Sequence, residues 1–230
     1  MQATQMTRIP VARLKLGSWR LLLERQTLAP AALCEAYSRL APRWGGLVSR
    51  LGFDAAYEAL LRAQGVSGER VLEAGAGTGA FASALARVTK RRFAVEGVDV
   101  SGAMLERAVA SWQAEGLEAT ATRCDIRRLP YADRSFDLVL VAHVLEHLPD
   151  PEHAAAELVR VLRPGGTAVI VATRRGLLGR WLQWKWRVRC FSPEELRQMF
   201  PPSVTVDVLP LPGPLRCGWM SLACVVKRPG

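Results

Sequence analysis

Long apolar runs are missing from this sequence. Half of its 230 residues are hydrophobic, yet no stretch approaches the length of a membrane span. Residues 1–23 contain basic side chains but no apolar block and no small-residue cleavage site, so we expect no signal peptide. The five cysteines stand singly, without a CxxC pair, which predicts reduced thiols. These absences favour a cytoplasmic protein with an ordinary hydrophobic core.

Potential metal ligands are scarce as well. The three histidines, His143, His147 and His153, lack cysteines or paired acids at the spacing that zinc requires, so we predict no metal site. Internal repeats and low-complexity segments are also absent. The length fits one domain with a modest additional element.

Acidic residues are rare in two segments, and these segments hold the positive charge of the chain. The formal net charge is +10. Residues 1–50 carry eight basic and two acidic side chains, and residues 174–190 carry six basic side chains and no acid. The rest of the chain is therefore close to neutral, so the positive field is local.

Two patterns divide the chain. Residues 1–63, including Leu21–Leu23 and residues 31–40, show an irregular helical pattern broken by prolines, and we expect an N-terminal helical cap that serves as a substrate lid. Residues 64–230 alternate strands with helices, which predicts a Rossmann-like, doubly wound α/β sheet. The predicted strands are Arg70–Ala74, Phe93–Asp99, Ala119–Thr122, Phe136–Ala142, Thr167–Ala172, Val204–Leu209 and Ser221–Lys227. The predicted helices are Ala80–Thr89, Ala103–Glu115, Pro151–Leu162 and Pro193–Phe200.

The link between the last two predicted strands is short and proline-rich. Residues 210–214 are too few to cross over the sheet, so a hairpin should make the final strand antiparallel to its neighbours.

A glycine-rich turn follows the first predicted strand of this sheet. The run Val71-Leu-Glu-Ala-Gly-Ala-Gly-Thr-Gly-Ala-Phe81 predicts a strand, a tight turn and a helix start. Asp99, 24 residues after Gly75, ends the second strand, where an acid can accept both hydroxyls of a ribose. Dinucleotide enzymes and S-adenosylmethionine (SAM) methyltransferases share this arrangement, so the turn by itself leaves both classes open.

Further features favour the second class. Glu73 precedes the glycines, and a carboxylate there would repel a pyrophosphate but could hold an amino acid moiety. Asp125 follows the third predicted strand, where it could accept a hydrogen bond from an adenine amino group. None of the three tyrosines has a lysine four residues later, and little chain remains for the catalytic domain of a dehydrogenase.

Four ordered runs resemble a class I SAM-dependent methyltransferase of the small-molecule, ubiquinone-biosynthesis-like type. They span about residues 68–172 and read EAGAGTG, GVDVSGAML, RCDIRRLPYADRSFDLVLVAHVLEHLPDP and LRPGGTAVIV. The resemblance implies a seven-stranded sheet with an antiparallel last strand. It also implies S-adenosyl-L-methionine as cofactor and S-adenosyl-L-homocysteine as product.

The resemblance also implies roles for individual residues. Gly75, Ala76, Gly77 and Gly79 would form the loop under the methionine part of SAM, which Glu73 would order. The other implied SAM contacts are Asp99 at the ribose, Val100, Met104, Asp125 and Ile126 at the adenine, Ala142 and His143 beside the methionine and sulfonium, and Tyr37 in a closing N-terminal helix. For Met104 a plain core position, and for Asp125 a helix N-cap, stay open as alternatives.

Catalysis by such an enzyme needs alignment and exclusion of water more than it needs reactive groups. A base is required only if the acceptor nucleophile arrives protonated. His143 is our first candidate for a base or orienting group, because strand carboxyl ends face the ligand crevice, and Tyr37 is the second. We expect Glu146 to be solvated or to cap a turn.

The insertion at residues 174–190 should form a basic, tryptophan-rich lid over the acceptor. We expect Arg174 and Arg187 to bind an anionic group and Trp181 and Trp184 an apolar body, although an amphipathic cover helix would explain the same residues. We also expect both basic segments to meet over the carboxyl ends of strands four and five. The acceptor atom, whether O, N, S or C, stays open.

Several partners fit this pattern. A small acidic or aromatic acceptor comes first, and a lipid head group at an anionic membrane, on the inner membrane face, is the alternative. Nucleic acid is disfavoured because no RNA-binding appendage or base-flipping motif is present. A non-catalytic SAM-binding or partner-activating subunit is a further alternative, and the protein is expected to be a monomer or homodimer.

Overall fold

A computed structural model describes the backbone of residues 6–16 and 19–28, and the backbone and side chains of residues 46, 49–176, 188–213 and 219–230. Its centre is a seven-stranded mixed sheet. The strands are β3 (Arg70–Ala74), β4 (Ala94–Asp99), β5 (Glu118–Arg123), β6 (Phe136–Ala142), β7 (Leu162–Thr173), β8 (Thr205–Pro210) and β9 (Ser221–Lys227). The spatial order is β5-β4-β3-β6-β7-β9-β8.

The direction of the strands confirms the predicted fold class. Strands β5, β4, β3, β6 and β7 are mutually parallel, and β9 runs antiparallel to both β7 and β8. The antiparallel pairing of β8 with β9 is the arrangement that the predicted hairpin requires. Because chain order reverses between β3 and β6, the crevice at the carboxyl ends of these two strands is the expected ligand position.

Helices cover both faces of the sheet. They are α1 (Phe53–Gln64), α2 (Ala80–Thr89), α3 (Gly102–Ala114), α4 (Pro151–Val161) and α5 (Pro193–Gln198), with a 3-10 helix at Leu145–His147. One buried cluster joins α1, α2 and α3 to one face of the sheet, and a second joins α4 and α5 to the other. Within the described ranges, no helix combines the length and apolar character needed to cross a bilayer.

The helical interpretation of the N-terminal residues is wrong for Leu21–Leu23. The structure has two antiparallel strands there, β1 (Met6–Leu16) and β2 (Trp19–Leu28), in a separate two-stranded sheet. The overlooked signal is Gly17-Ser18, a two-residue sequence typical of hairpin turns, flanked by the paired residues Leu16 and Trp19. The register shifts next to Pro10, because proline cannot donate to a ladder and is tolerated at a bulge. The predicted helix at residues 31–40 lies outside the described residues.

The amino end of the sheet is tied together by Asp137. Its Oδ2 accepts hydrogen bonds from the backbone N–H groups of Glu69, at 2.8 Å, and Arg70, at 3.0 Å, and its Oδ1 lies 2.7 Å from the Arg163 guanidinium. Asp137 therefore joins the starts of β3, β6 and β7, at the opposite end of the sheet from the predicted ligand crevice.

Candidate active site

The glycine turn between β3 and α2 is a tight loop with three left-handed residues. Gly75, Gly77 and Gly79 have φ values of 72°, 52° and 81°. The backbone N–H groups of Gly75 and Ala76 both donate to the carbonyl of Val98, at 2.7 and 2.9 Å, so the loop is anchored on β4. A side chain is strained at these φ values, which explains why glycine occupies them.

Two of these glycines are packed against bulky neighbours and one is not. A Cβ at Gly75 would lie 2.2 Å from a methyl of Val144, and a Cβ at Gly79 would lie 2.6 Å from the Trp112 ring. Trp112 is fully buried and donates its indole N–H to the carbonyl of Gly79, at 2.9 Å. A Cβ at Gly77 would meet no atom within 4 Å. The middle of the loop therefore borders open space.

Glu73 lies directly beneath the start of α2. It is 3% exposed, and its carboxylate accepts from the backbone N–H groups of Phe81, at 3.3 Å, and Ala82, at 2.8 Å. Burial raises the pKa of Glu73 to about 8, although the two N–H donors oppose this shift. Glu73 thus binds two otherwise unpaired N–H groups at the first turn of the helix that follows the loop.

Asp99 ends β4 beside the open middle of the loop. Its Oδ2 accepts from the N–H of Gly77 and its Oδ1 from the N–H of Ser101, both at 2.9 Å. Burial raises the pKa of Asp99, while these main-chain donors lower it in part. The following residues differ in exposure, because Val100 is partly exposed whereas Met104 is only 1% exposed. Met104 is therefore buried, as the core alternative requires, and its contact with adenine stays a prediction.

Asp125 is held by a neighbouring arginine. Arg127 donates to it from its backbone N–H, at 2.9 Å, and from its guanidinium through Nε and Nη2. The same guanidinium donates to Asp150 at 2.9 Å. The hydrogen bond from Arg127 keeps the pKa of Asp125 below its usual value. Asp125 therefore forms a local turn, close to the capping alternative, while the adjacent Ile126 side chain is buried.

His143 follows Ala142 at the carboxyl end of β6 in a left-handed conformation, with φ 57°. Its Nδ1 lies 2.9 Å from Oε1 of Glu146, which is buried in the 3-10 helix. The expectation that Glu146 is solvated or capping is wrong, because its side chain is buried and bonded to His143 and to Thr173 of β7. The polar spacing His-x-x-Glu could have signalled this contact. Val144, which packs on Gly75, places the pair next to the glycine loop.

Helix α1 adds two aromatic residues that sequence reasoning missed. Phe53 meets the His143 ring edge-on, with centroids 4.9 Å apart. Tyr57, one turn later, stacks on Phe81 in the first turn of α2, with centroids 4.5 Å apart. The backbone N–H of Phe81 also donates to Glu73, so Phe81 belongs to the segment that follows the glycine loop. Helix α1 therefore contacts both this segment and His143. The apolar periodicity of this segment indicated a helix in the sequence but did not indicate that the helix contacts the site.

Comparison with known protein families identifies the kind of domain that contains this site. Residues 72–170 match the family described as Methyltransferase domain. The chain contains a methyltransferase domain. The matched span begins in β3 and ends in β7, and it includes the glycine loop, Asp99, Asp125 and the His143–Glu146 pair.

Curated relatives that are named as methyltransferases are similar to about half of the chain. Methyltransferase GfsG of Streptomyces halstedii is 41% identical over 45% of this chain, and a phosphatidylethanolamine N-methyltransferase of Cereibacter sphaeroides is 39% identical over 45%. The ubiquinone/menaquinone biosynthesis C-methyltransferase UbiE of Geotalea daltonii is 30% identical over 60%. The chain spans only 37%, 50% and 61% of the lengths of these relatives, respectively.

Solved structures share the fold over more of the chain. A SAM-dependent methyltransferase of Thermotoga maritima, described as a possible histamine N-methyltransferase, has a TM-score of 0.64 at 23% identity, covering 84% of this chain and 98% of that one. A putative O-methyltransferase of Nostoc punctiforme has a TM-score of 0.69 at 15% identity, covering 84% and 60%. The fold of the methyltransferase domain is thus a common one.

Most of the predicted acceptor side of the methyltransferase domain lies outside the described residues. This applies to Tyr37, Trp181, Trp184 and Arg187, and to most of both basic segments. Arg174 is described: it follows β7, is exposed, and donates its backbone N–H to the carbonyl of Met220 at 2.7 Å. Trp219, next to Met220, is 74% exposed and was not predicted as a site residue.

Metal ligands do not gather at this site. Across the residues that the structure describes, no group of three histidine, cysteine, aspartate or glutamate side chains could hold a metal ion. Cys124 and Cys224 are free thiols, and burial raises the pKa of Cys124 to about 11 and that of Cys224 to about 12. Both thiols are therefore in the protonated, poorly nucleophilic form at neutral pH.

Proposed function

We propose that this protein transfers a methyl group from S-adenosyl-L-methionine to a small, acidic and partly apolar acceptor. The observation that carries the proposal is a pair of acids, the buried Glu73 and the partly buried Asp99, on either side of a glycine loop whose middle residue, Gly77, borders open space. A nucleoside with a charged amino acid tail is the kind of ligand that this combination fits.

The residues present fit SAM at each of its parts. The loop at residues 75–79 would lie under the methionine moiety, and Asp99 would exchange its bond to the Gly77 N–H for the ribose hydroxyls. Val100 would contact the adenine, while Asp125 would accept from its amino group in competition with Arg127. Glu73 acts indirectly, by fixing the start of α2.

SAM, when bound, supplies an electrophilic methyl group on a sulfonium. The chain itself has to orient the acceptor, exclude water and receive any proton that the acceptor loses. The position of His143 at the carboxyl end of β6, beside the glycine loop, supports a role in the last of these tasks. Phe53 of α1 packs against the His143 ring and would help to exclude water.

The acidic nature of the acceptor is inferred from charge. The segment at residues 174–190 carries six basic side chains and follows β7, the strand that holds Thr173 next to His143. Arg174 is exposed at the first position of that segment. Arginine binds carboxylates and phosphates through paired, charge-assisted hydrogen bonds, so an anionic acceptor is favoured.

A phospholipid head group is the second candidate acceptor. One relative, 39% identical over 106 residues, is named phosphatidylethanolamine N-methyltransferase. The same basic segments would then contact an anionic bilayer.

Calorimetric titration with SAM and S-adenosylhomocysteine tests the cofactor. We expect micromolar binding of both to the wild-type protein and at least tenfold weaker binding to Asp99→Ala. Asp207→Ala, an exposed acid on β8, serves as control and should bind as the wild type does. Absence of binding to the wild type would refute the proposal and favour a non-catalytic or partner-dependent role.

Radiolabelled methyl transfer then separates the acceptor classes. Soluble hydroxybenzoates and aminobenzoates form one arm, and vesicles of phosphatidylethanolamine with phosphatidylglycerol form the other. Label in the benzoates supports the small acidic acceptor, whereas label in the lipid alone would replace it with the head-group candidate.

A further inference from the structure

A buried polar cluster links β6, the 3-10 helix and β7 next to the glycine loop. One oxygen of Glu146, Oε1, lies within hydrogen-bond distance of three donors: Nδ1 of His143 at 2.9 Å, the backbone N–H of Thr173 at 3.1 Å and the Thr173 hydroxyl at 2.7 Å. These residues lie up to 30 positions apart in the chain and meet only in the folded protein.

Other atoms of the same cluster have no partner. Among the described residues, Nε2 of His143, Oε2 of Glu146 and the hydroxyl of Ser221 are buried without a hydrogen bond. Ser221 is directly opposite Thr173 on the neighbouring antiparallel strand, so the two side chains lie on the same face of the sheet. Unpaired buried polar atoms are rare because each one is destabilising, and their concentration here indicates a place for a polar ligand group.

The protonation of His143 follows from its partner. Burial raises the pKa of Glu146, but the hydrogen bond from His143, the charge that His143 carries when it is protonated, the charge of His147 and the Thr173 hydroxyl together hold that pKa below its usual value. Oε1 of Glu146 bonds the backbone N–H of Thr173, which can only donate, so Oε1 acts as a hydrogen-bond acceptor in this cluster. Because Oε1 accepts from Thr173 as well, Nδ1 of His143 must be the donor in their contact.

We infer that Glu146 is a positioning residue that holds His143 with its proton on Nδ1, so that Nε2 receives a proton from a hydroxyl of the acceptor. This inference rests on the proposed function and adds the acceptor class to it. A neutral imidazole with Nδ1 protonated has a bare lone pair on Nε2, and Nε2 is the atom without a partner.

The proton balance of the step defines the acceptor. The acceptor oxygen forms its new bond to the methyl carbon with its own electron pair, while the bond from that carbon to sulfur breaks and its electrons stay on sulfur. The hydroxyl proton passes to Nε2, so that His143 becomes an imidazolium next to the Glu146 carboxylate. A phenolic or enolic hydroxyl fits, since its pKa is close enough to that of an imidazole for such a transfer.

Within the part of the chain that the structure describes, other charged groups around the pair are few. His147 lies in the same 3-10 helix as Glu146. From the segment packed against that helix, Arg189 donates its backbone N–H to the Glu146 carbonyl at 2.8 Å, and its guanidinium lies 3.7 Å from Glu152. From β7, Arg174 follows Thr173 and is exposed. From α1, the ring that meets His143 is the uncharged Phe53.

Nitrogen-15 NMR of the three histidine side chains measures this tautomer directly, and single His→Gln variants assign the signals. At a pH where the imidazole is neutral, His143 should carry its proton on Nδ1. Glu146→Gln keeps an acceptor oxygen and should keep this tautomer, whereas Glu146→Met should move the proton to Nε2. A wild-type His143 with its proton on Nε2 would overturn the inference.

A second histidine–carboxylate pair provides a matched control. His153 and Asp150 are also three residues apart, with Nδ1 and Oδ2 separated by 2.7 Å, but the His153 side chain is 75% exposed. Water competes for both partners there, so Asp150→Asn should leave the His153 signals unchanged. If Glu146→Met does not fold, Thr173→Val carries the test, because loss of a donor to Oε1 should shift the His143 Nδ1 proton signal.

Turnover tests the acceptor class. With hydroxybenzoates and enolic carboxylic acids as probes, Glu146→Gln should lower kcat by about 10- to 100-fold and His143→Gln by about 10²- to 10⁴-fold. Glu146→Gln should leave the SAM affinity unchanged. Turnover of aminobenzoates alone, or of no hydroxyl probe, would overturn the hydroxyl assignment. SAM binding without the Nδ1 tautomer would refute only this inference, whereas loss of SAM binding would refute the proposed function.

Discussion

At Gly75 the fold has room for a hydrogen atom and for nothing larger. The left-handed backbone there would tolerate an alanine at a modest cost, but a methyl of Val144 lies 2.2 Å from where the Cβ would be. Gly116 has a similar φ, 75° against 72°, but a Cβ at Gly116 would meet no atom within 4 Å. A comparison of alanine substitutions at the two glycines therefore separates the effect of backbone strain from the effect of packing.

Gly75→Ala should lower the free energy of unfolding more than Gly116→Ala does. The left-handed conformation destabilises both variants by about 1–2 kcal/mol. Overpacking against Val144 should destabilise Gly75→Ala by about a further 1–3 kcal/mol. Urea titration of both variants measures the difference, and equal midpoints would show that Val144 can move aside.

Because the pKa of Glu73 is raised in the folded protein, the free energy of unfolding should decrease as the pH rises. Its pKa is about 8 in the folded protein and 4.5 in the unfolded chain, so the folded state holds the proton between these values and the unfolded state releases it. Stability should fall through this window by at most about 1.4 kcal/mol per pH unit.

Glu73→Gln should flatten this dependence. Urea unfolding at several pH values from 5 to 8 measures both proteins. The same slope in the two proteins would contradict a buried, protonated Glu73.

At the scale of elements, α1 couples the glycine loop to His143. Phe53 contacts the His143 ring, and Tyr57 stacks on Phe81 at the start of α2. Aromatic contacts therefore join α1 both to the start of α2 and to His143. The position of α1 should affect both stability and ligand binding.

Phe53→Leu should destabilise the protein by about 1–2 kcal/mol and also shift the His143 NMR signals and weaken SAM binding. Phe136→Leu is the matched control, because Phe136 is fully buried at the opposite end of the sheet, where its ring meets that of Tyr131. The control should lose similar stability with unchanged SAM affinity. Equal effects of the two variants on SAM binding would show that α1 has no specific role.

At the scale of the whole molecule, the positive charge of the two basic segments should increase the rate at which an anionic acceptor associates with the protein. The net charge of +10 resides in two segments, so kcat/KM for a hydroxybenzoate should fall as salt rises, since the screening length is about 10 Å at 0.1 M. A neutral phenol should show little salt dependence.

Two adjacent arginines separate this long-range field from direct contact. Arg174 and Arg175 are both exposed, but Arg175 donates to Glu195 at 2.7 Å. Arg174→Gln and Arg175→Gln change the net charge equally. A larger rise of KM in Arg174→Gln, on the order of tenfold, would indicate direct binding of the acceptor. Equal KM values would assign the effect to the field alone.

Prediction from sequence succeeded where the signal is local. The boundaries of β3, β6, β9 and α2 agree with the predicted ones, because alternation and apolar periodicity are set within each segment. It failed at Leu21–Leu23, where three consecutive leucines fit a helix as well as a strand and the turn residues Gly17-Ser18 were the better indicator. It also failed at Glu146, because burial of an acid cannot be seen from its neighbours in sequence.

The sequence by itself determined the fold class, the glycine loop, and the positions of Glu73 and Asp99 near the carboxyl ends of β3 and β4. It also determined the methyltransferase family that these features indicate. Each of these depends on residues close together in the chain, whose conformations follow from periodicity, turn chemistry and strand ends. Only the tertiary structure decided that Glu146 joins His143 to Thr173, that Trp112 supports Gly79, and that α1 covers the histidine. Those contacts depend on how distant elements pack, and packing is a property of the whole fold.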